Sequence, residues 1–566
     1  MVDAGWGKYE IAIGPAGYAM HGYGQITHRA TSEGGPLFAR SLFFRDKDGK
    51  TLIFCCLDLG YVTHAMRARA VEQLASRMAP GFNAESFVLT CTHTHSGPGG
   101  CAHEVLYNLV TPGFQPEHLQ AVVSAIVESV VQAWMTAEET ELWLGSGCFD
   151  EHVPVAWNRS LRAWNRNPDV SPYREGENHK ALDRRMQVLS LRRDGQVKAL
   201  LSLFGVHATC LGSSLNQHNG DNKGYAAAET EARLGDGAVA IFAQAKAGDV
   251  SPHYHGPGQA ERRKAIKGEA GYAYAESNGR KQSELALAIV ASPTQEKING
   301  PLDGVVTYVD FSNVHADPGF ANGEPEAWTS DPCHGVSFAA GTPVDGPGVA
   351  PALLPLLWLA SRARRSLKQG ALSQRDAEER AYFRRLYRSQ GPKDIFMELG
   401  RRQNGKRPRI PGFIDPLVAE LNRQEKAGAI KESEMVPSVL PLQIVRLGSL
   451  ALVCCPGEFT TTSGRRLIET VNTCLKGSGI SQTLICTYCN EYMGYVTTYE
   501  EYQEQAYEGG HTLYGQWTLA AFQTRFAQLA AELPKAAAGR NYDRATRPVP
   551  PPEHELSRRS GLPPWQ

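Results

Sequence analysis

The sequence predicts an α/β protein: a mixed β-sheet core flanked by helices and carrying a charged helical insertion. Three observations lead there. Short apolar runs alternate with helical patterns through the first half. Several of those runs end in a histidine or a carboxylate rather than fading into ordinary loop. Between about Arg375 and Lys431 the composition shifts to charged and helical, opening with RDAEERAYFRRLYRSQ. In chain order, TLIFCCLDLG (Thr51 to Gly60) reads as a buried strand and His64 to Met78 as a helix by its periodicity. SFVLTC (Ser86 to Cys91) is the next buried strand, and Pro116 to Ala137 is apolar at helical spacing. VKALLSLFGVH (Val197 to His207) and GAVAIFAQA (Gly237 to Ala245) are strand-like, as are LPLQIVRLG and LALVCCPGE beyond the charged segment. A final helix spans Leu519 to Leu533. We expect a catalytic unit over residues 1–533 with the insertion at 370–434. The proline-rich, polar stretch 534–566 reads as a tail rather than a domain.

Bulk properties exclude several classes. The 566 residues are too many for one simple core. With 42% hydrophobic and 21% charged residues the composition is soluble and globular. A net charge of -1 lacks the basic surplus of a nucleic-acid binder, and the cluster RRQNGKRPR (Arg401 to Arg409) reads as solvated loop. The start has no secretory pattern, and no window suits a membrane span, so a cytoplasmic location is expected. GVAPALLPLLWLASRARRSL (Gly348 to Leu367) reads as a buried loop or helix; the alternative is a patch that contacts lipid. Of twelve cysteines, Cys55, Cys56, Cys91, Cys454, Cys455 and Cys486 lie in or beside apolar runs and read as buried free thiols.

The chemistry concentrates at the ends of the apolar runs. In CTHTHSGPGG, strand alternation turns His93 and His95 to one face, a common metal-ligand spacing, and the glycines after them leave room for a substrate. The plain alternative is two histidines at a polar strand end. His207 ends a second apolar run, before the polar loop GDNKGYA. Glu458 follows a Pro-Gly turn after a buried strand, as a helix N-terminal residue or a ligand. Five tyrosines crowd YCNEYMGYVTTYEEY (Tyr488 to Tyr502), a density that usually lines something. In FAQAKAGDVSP, spacing alone favours Ser251 as a helix N-cap over a nucleophile.

Taken together, THTHSGPGG, NRS (Asn158 to Ser160), GDNKGYA, AGDVSP, VDFSNV, SFAAGT with DGPG, GEFTTTSGRR, and YVTTYEEY with YEGGHTLYG resemble the neutral ceramidases, zinc amidases that split ceramide into sphingosine and fatty acid. The matches keep the family's order from roughly Ile11 to Ala527. The resemblance implies a metallohydrolase-like fold and one Zn2+ per chain held by His93, His207, Glu458 and Tyr495. It implies that His95 meets the reacting amide, that Arg159 and Tyr507 belong to the substrate site, and that Ser251 matches a serine proposed as essential. Zinc polarises a carbonyl and lowers the pKa of water to about 7, which suits a poor electrophile such as an amide. We expect the water route, with Ser251 in support. Typical members continue into a C-terminal immunoglobulin-like domain and are secreted or membrane-anchored. We expect this chain to lack that domain, and it carries the insertion, so the metal chemistry is expected to be kept more closely than the lipid specificity. The competing readings are an amidase or amide-forming enzyme acting on a non-sphingolipid N-acyl compound, and a non-catalytic lipid-binding relative. Intact His93, His207, Glu458 and Tyr495 argue against the last.

Overall fold

The structure is a computed structural model that describes residues 2–235, 237–256, 259–342, 344–346, 348–369, 376–400, 412 and 415–565. The basic cluster 401–409 lies outside the described residues. The predicted strands and helices form, but the strands divide between two main sheets instead of one. The larger runs in the order Val239–Ala243, Gln196–Leu203, Arg185–Arg193, Glu138–Cys148, Val2–Glu10, Phe38–Arg45, Thr51–Leu57, Phe87–Cys91, with Glu296–Ile298 also on Glu138–Cys148. The smaller joins Leu302–Asp310, Val439–Leu447, Leu450–Cys454 and Gln482–Cys486. Most pairings are antiparallel. Three are parallel: Thr51–Leu57 with Phe87–Cys91, Gln196–Leu203 with Val239–Ala243, and Leu450–Cys454 with Gln482–Cys486.

The two sheets face each other. Phe44, Leu52 and Phe54 from the larger sheet meet Val445, Leu452 and Leu484 from the smaller across one apolar seam. Period-two alternation assigns the side chains. Leu189, Leu201 and Ile241 belong to the core shared with the second sheet, whereas Val188, Leu200, Ala240 and Phe242 pack with Ala226, Ala286 and Ile289 of the outer helices Asp221–Leu234 and Ala270–Ala291. Pro116–Met135 packs on the other half of the larger sheet and on His64–Arg77; Thr461–Cys474 and Thr518–Ala530 cover the smaller sheet. Strands buried on both faces read as continuous apolar runs, so their sequences carry no sign of which sheet they join.

Gly348–Leu367 is helical from Leu354 to Gln369, but the expected burial fails. Leu356 is 63% exposed, Leu359 67% and Leu367 71%. The helix rests on the protein by its other side, with Leu357 lining the cavity described below. Within 370–434 the described residues form the helices Ala377–Gln390 and Pro416–Lys426 and the strand Ile395–Glu398, which pairs with Cys333–Gly335. The stretch 534–566 runs back over the first half of the chain. Buried Glu555 accepts from the backbone of Glu432 and Ser433, buried Arg559 donates to His103, and Phe114 and Arg559 to Gly561 exchange backbone hydrogen bonds. Among the described residues no helix is long and apolar enough to cross a membrane. All twelve cysteines are free, and the six singled out from the sequence are buried.

Candidate metal centre and cavity

Four candidate ligands follow the ends of four strands, two in each sheet. His93 comes after Phe87–Cys91 and His207 after Gln196–Leu203; Glu458 comes after Leu450–Cys454 and Tyr495 after Gln482–Cys486. The loops are tied together by backbone pairing. Thr94 bridges to Ala208, His207 N donates to Val250 O, and the short strand Glu458–Phe459 pairs in parallel with Tyr495–Val496, setting Glu458 directly beside Tyr495. His207 Nε2 lies 3.0 Å from Glu458 Oε2 and 3.3 Å from the Tyr495 hydroxyl; His93 Nε2 lies 3.6 Å from Glu458 Oε1. One ligand atom each from His93, His207 and Glu458 lies within 4.8 Å of the others, and all three residues are buried.

The donor set fits a cation. His93 Nδ1 donates to Gly60 O at 2.5 Å and His207 Nδ1 to Val250 O at 3.0 Å, which leaves both Nε2 lone pairs toward the common centre. Tyr488 and Tyr492 donate to the two oxygens of Glu458 at 3.1 and 2.5 Å and orient the carboxylate. Burial pushes the Glu458 carboxyl up, but His93, His207 and the Tyr492 hydrogen bond outweigh it and hold it well below its ordinary value. Burial brings the His93 imidazole down to about 4, so it is neutral and able to ligate. Burial and the Glu458 charge raise the Tyr495 phenol well above its ordinary range.

His95 reaches the same centre, with its Nε2 3.1 Å from His93 Nε2, but not by strand alternation. The strand stops at Cys91, and His93 takes a left-handed backbone with φ of 63°. The loop then turns both rings inward, held by the Gly60 contact on one side and by His95 N to Ala208 O on the other. Nor do the glycines of SGPGG make the room. Gly99 sits against Thr111 and Gly100 against Gln115. The space beside the His95 ring comes from Gly22, with φ of 130°, where a Cβ would collide with that ring.

Arg159 occupies the wall beside the ligands. Its Nη2 donates to the Tyr495 hydroxyl at 2.9 Å, its Nη1 to Asp345 and its Nε to Glu508, and its charge lies 5.5 Å from the centre of the Tyr507 ring. Ser251 caps no helix. It lies in the short strand Val250–Ser251 paired with Trp157–Asn158, and its hydroxyl donates to Asp345 Oδ1 at 2.7 Å. No helix follows it directly; its Oγ accepts from His253 N at 3.2 Å, a local serine turn rather than a helix cap. Sequence reasoning missed Asp345 and Glu508. Asp345 sits in the quoted DGPG and Glu508 directly follows Tyr507, but neither position betrays that both hold Arg159. Of the five crowded tyrosines, Tyr488, Tyr492 and Tyr495 serve the centre; Tyr499 stacks on Trp517, and the Tyr502 hydroxyl bonds to Gln390.

The centre opens into a cavity of about 380 Å³ lined by His93, His95, Arg159, Glu458, Tyr495 and Tyr507 at its base. Leu106, Leu109 and Val110 form one apolar side, and Leu357, Phe396, Leu417 and Leu421 form another.

Fold and site together define a protein of mixed α/β build with a centre able to hold a metal ion beneath an apolar cavity. The sequence profile described as "Neutral/alkaline non-lysosomal ceramidase, N-terminal" matches residues 3–409 and 425–524. The neutral ceramidase of Pseudomonas aeruginosa is 31% identical over 539 residues, covering 94% of this chain and 72% of that protein. The neutral ceramidase of Mycobacterium tuberculosis is 30% identical, over 100% of this chain and 81% of that protein. A solved ceramidase complexed with C2 superposes with a TM-score of 0.75 at 30% identity, over 94% of this chain and 75% of that one. The chain belongs to the neutral/alkaline non-lysosomal ceramidase family, and it is a hydrolase of linear amide bonds.

Proposed function

We propose that the protein hydrolyses the amide bond of a ceramide to a sphingoid base and a fatty acid, using one Zn2+ held by His93, His207, Glu458 and Tyr495. The observation that carries this reading is the meeting of the buried His–His–Glu cluster with an apolar cavity, in a member of this family. The metallohydrolase-like reading of the fold rests on the same cluster. A bound zinc ion polarises the amide carbonyl and acidifies water. The chain's own groups do the rest. Arg159, clamped by Asp345 and Glu508, presents a fixed positive charge beside the Tyr495 hydroxyl and stabilises the negative charge that develops on the carbonyl oxygen. Burial keeps the His95 imidazole neutral, so it can accept the proton that the attacking water releases and hand that same proton to the departing amine; its Nδ1 has no protein partner among the described residues. Tyr507 lines the substrate's path, and Ser251 steadies Asp345. Exposed Leu356 and Leu359 beside the mouth suit a substrate arriving from a lipid surface.

A second reading has its own support. Leu417, Val418 and Leu421 line the cavity, yet they fall in residues 410–424, which the family profile leaves unmatched. A different N-acyl amide, outside the sphingolipids, would suit a cavity reshaped there. The test is a panel of ceramides, N-acyl amino acids and simple fatty amides, each with and without a chelator. Chelator-sensitive cleavage of ceramide above the others is expected. Chelator-sensitive cleavage of another amide alone would select the second reading, and chelator-resistant cleavage would remove zinc from either.

A further inference from the structure

A pair of histidines on the cavity wall is used by none of the chemistry above. His334 is the middle residue of the short strand Cys333–Gly335, and His511 ends the helix Tyr507–His511. Their ring centres are 4.8 Å apart, with Phe338 packed against both at 4.4 and 4.2 Å. Both line the cavity, yet His511 is only 5% exposed and His334 7%. His511 Nδ1, His511 Nε2 and His334 Nε2 have no protein partner among the described residues. A neutral imidazole offers one N–H donor and one acceptor nitrogen, and leaving such groups unmatched in a buried site is costly. The chain accommodates the His511 ring closely: a Cβ on Gly494, whose φ is 82°, would approach its Nε2 to 2.8 Å. That ring lies 5.3 Å from the ring of Tyr495, next to the candidate metal centre.

We infer that His511 and His334 form a hydroxyl-recognition subsite, which exchanges donor and acceptor hydrogen bonds with a hydroxyl borne by the amine portion of the substrate close to the amide. The inference rests on the proposed amide hydrolysis. A hydroxyl both donates and accepts, which complements paired imidazoles in a way that a methylene cannot. A wall built to bond a hydroxyl discriminates strongly against the analogue that lacks it, because the imidazoles are then left unmatched. These residues act as positioning and specificity groups, not as catalytic residues.

The test compares two amides of one fatty acid, an N-acyl sphingoid base with its hydroxyls and the N-acyl derivative of a plain alkylamine of equal length. The native enzyme is expected to favour the first in kcat/KM by roughly tenfold or more. His511→Phe and His334→Phe are each expected to lower kcat/KM for the hydroxylated amide by about 10- to 100-fold and to change the plain amide by less than about 3-fold. His511→Gln, which keeps a donor and an acceptor, should recover part of the preference. Equal losses on both amides, or no preference in the native enzyme, would overturn the inference. Should a Phe variant not fold, the native preference and the Gln variant still decide it. If the native enzyme cleaves neither amide, the proposed reaction fails on its own. Calorimetric binding of the same two amides then reads the subsite: a native preference lost in His511→Phe supports it, and equal binding overturns it.

Discussion

The metal centre and the mouth of the cavity are built on opposite principles. At the centre the side chains are held by directional hydrogen bonds. His93 and His207 each donate to a backbone carbonyl, Glu458 accepts from two tyrosines, and Arg159 is gripped by Asp345, Glu508 and Gly248. On the apolar wall, called the mouth here, Leu357, Leu417 and Leu421 present carbon surface from two separate helices. Directional bonds at the centre impose one geometry, whereas non-directional apolar contact at the mouth tolerates change. The lesson is that the chemistry of this enzyme is harder to alter than its choice of chain.

The comparison is broken most severely at the centre. Glu458→Gln removes the charge of the proposed carboxylate ligand while keeping its size. Metal content by elemental analysis should fall from one zinc per chain toward none, and kcat/KM should fall by about 10³-fold or more. Retained zinc and activity would show that the carboxylate is not a ligand. Arg159→Lys keeps the charge but loses the planar fork that meets Asp345, Glu508 and Tyr495 together. A loss of roughly 10²- to 10³-fold, mostly in kcat, is expected, with metal content unchanged.

Acid should expose the same clamp. Burial pushes the Asp345 carboxyl up, but Arg159 and the neighbouring histidines overcome this and hold it at about 2, below its ordinary 3.8. A depressed carboxyl stabilises the folded state fully above its unfolded value and loses that contribution as pH falls through the folded one. Asp345 therefore contributes about 2 kcal/mol that disappears between roughly pH 4 and pH 2. In Asp345→Asn, urea midpoints measured across that window should fall less steeply than in the native protein; parallel slopes would refute the assignment. At the mouth the effect is smaller. Leu421→Trp should lower kcat/KM for the longest acyl or alkyl chains by about tenfold and leave short-chain amides and zinc content almost unchanged. A uniform loss over all chain lengths would mean that the wall supports the centre after all.

Much of the centre was legible because its residues are polar groups placed where apolar runs stop, and such interruptions stand out in a sequence. His93, His95, His207 and Glu458 all stand at or just after such an end. The reasons behind two of them were less accessible. The His93 backbone turns left-handed, so the two rings converge through a loop and not through pleat alternation. The clearance at His95 comes from Gly22, some seventy residues upstream, and not from the adjacent glycines. Asp345 and Glu508 look like ordinary loop and helix carboxylates until Arg159 is placed between them. The Leu354–Gln369 helix misled for a related reason, since its apolar half looks buried to any reading that counts apolar residues.

The family resemblance joined His93, His207, Glu458 and Tyr495 into one candidate ligand set, while the sequence by itself determined an α/β core, the positions of its main strands and helices, and the polar residues at the ends of its apolar runs. Those features follow from local periodicity and from residue chemistry, which a chain carries in its own order. Only the tertiary structure decided that the strands divide into two facing sheets, that ligands after two strand ends of each sheet converge on one point, and that an apolar cavity lies over them. Each of those depends on contacts between residues hundreds of positions apart, such as His207 with Tyr495 and Arg159 with Glu508. No local pattern encodes such a contact, because packing both sheets face to face is what brings the partners within reach.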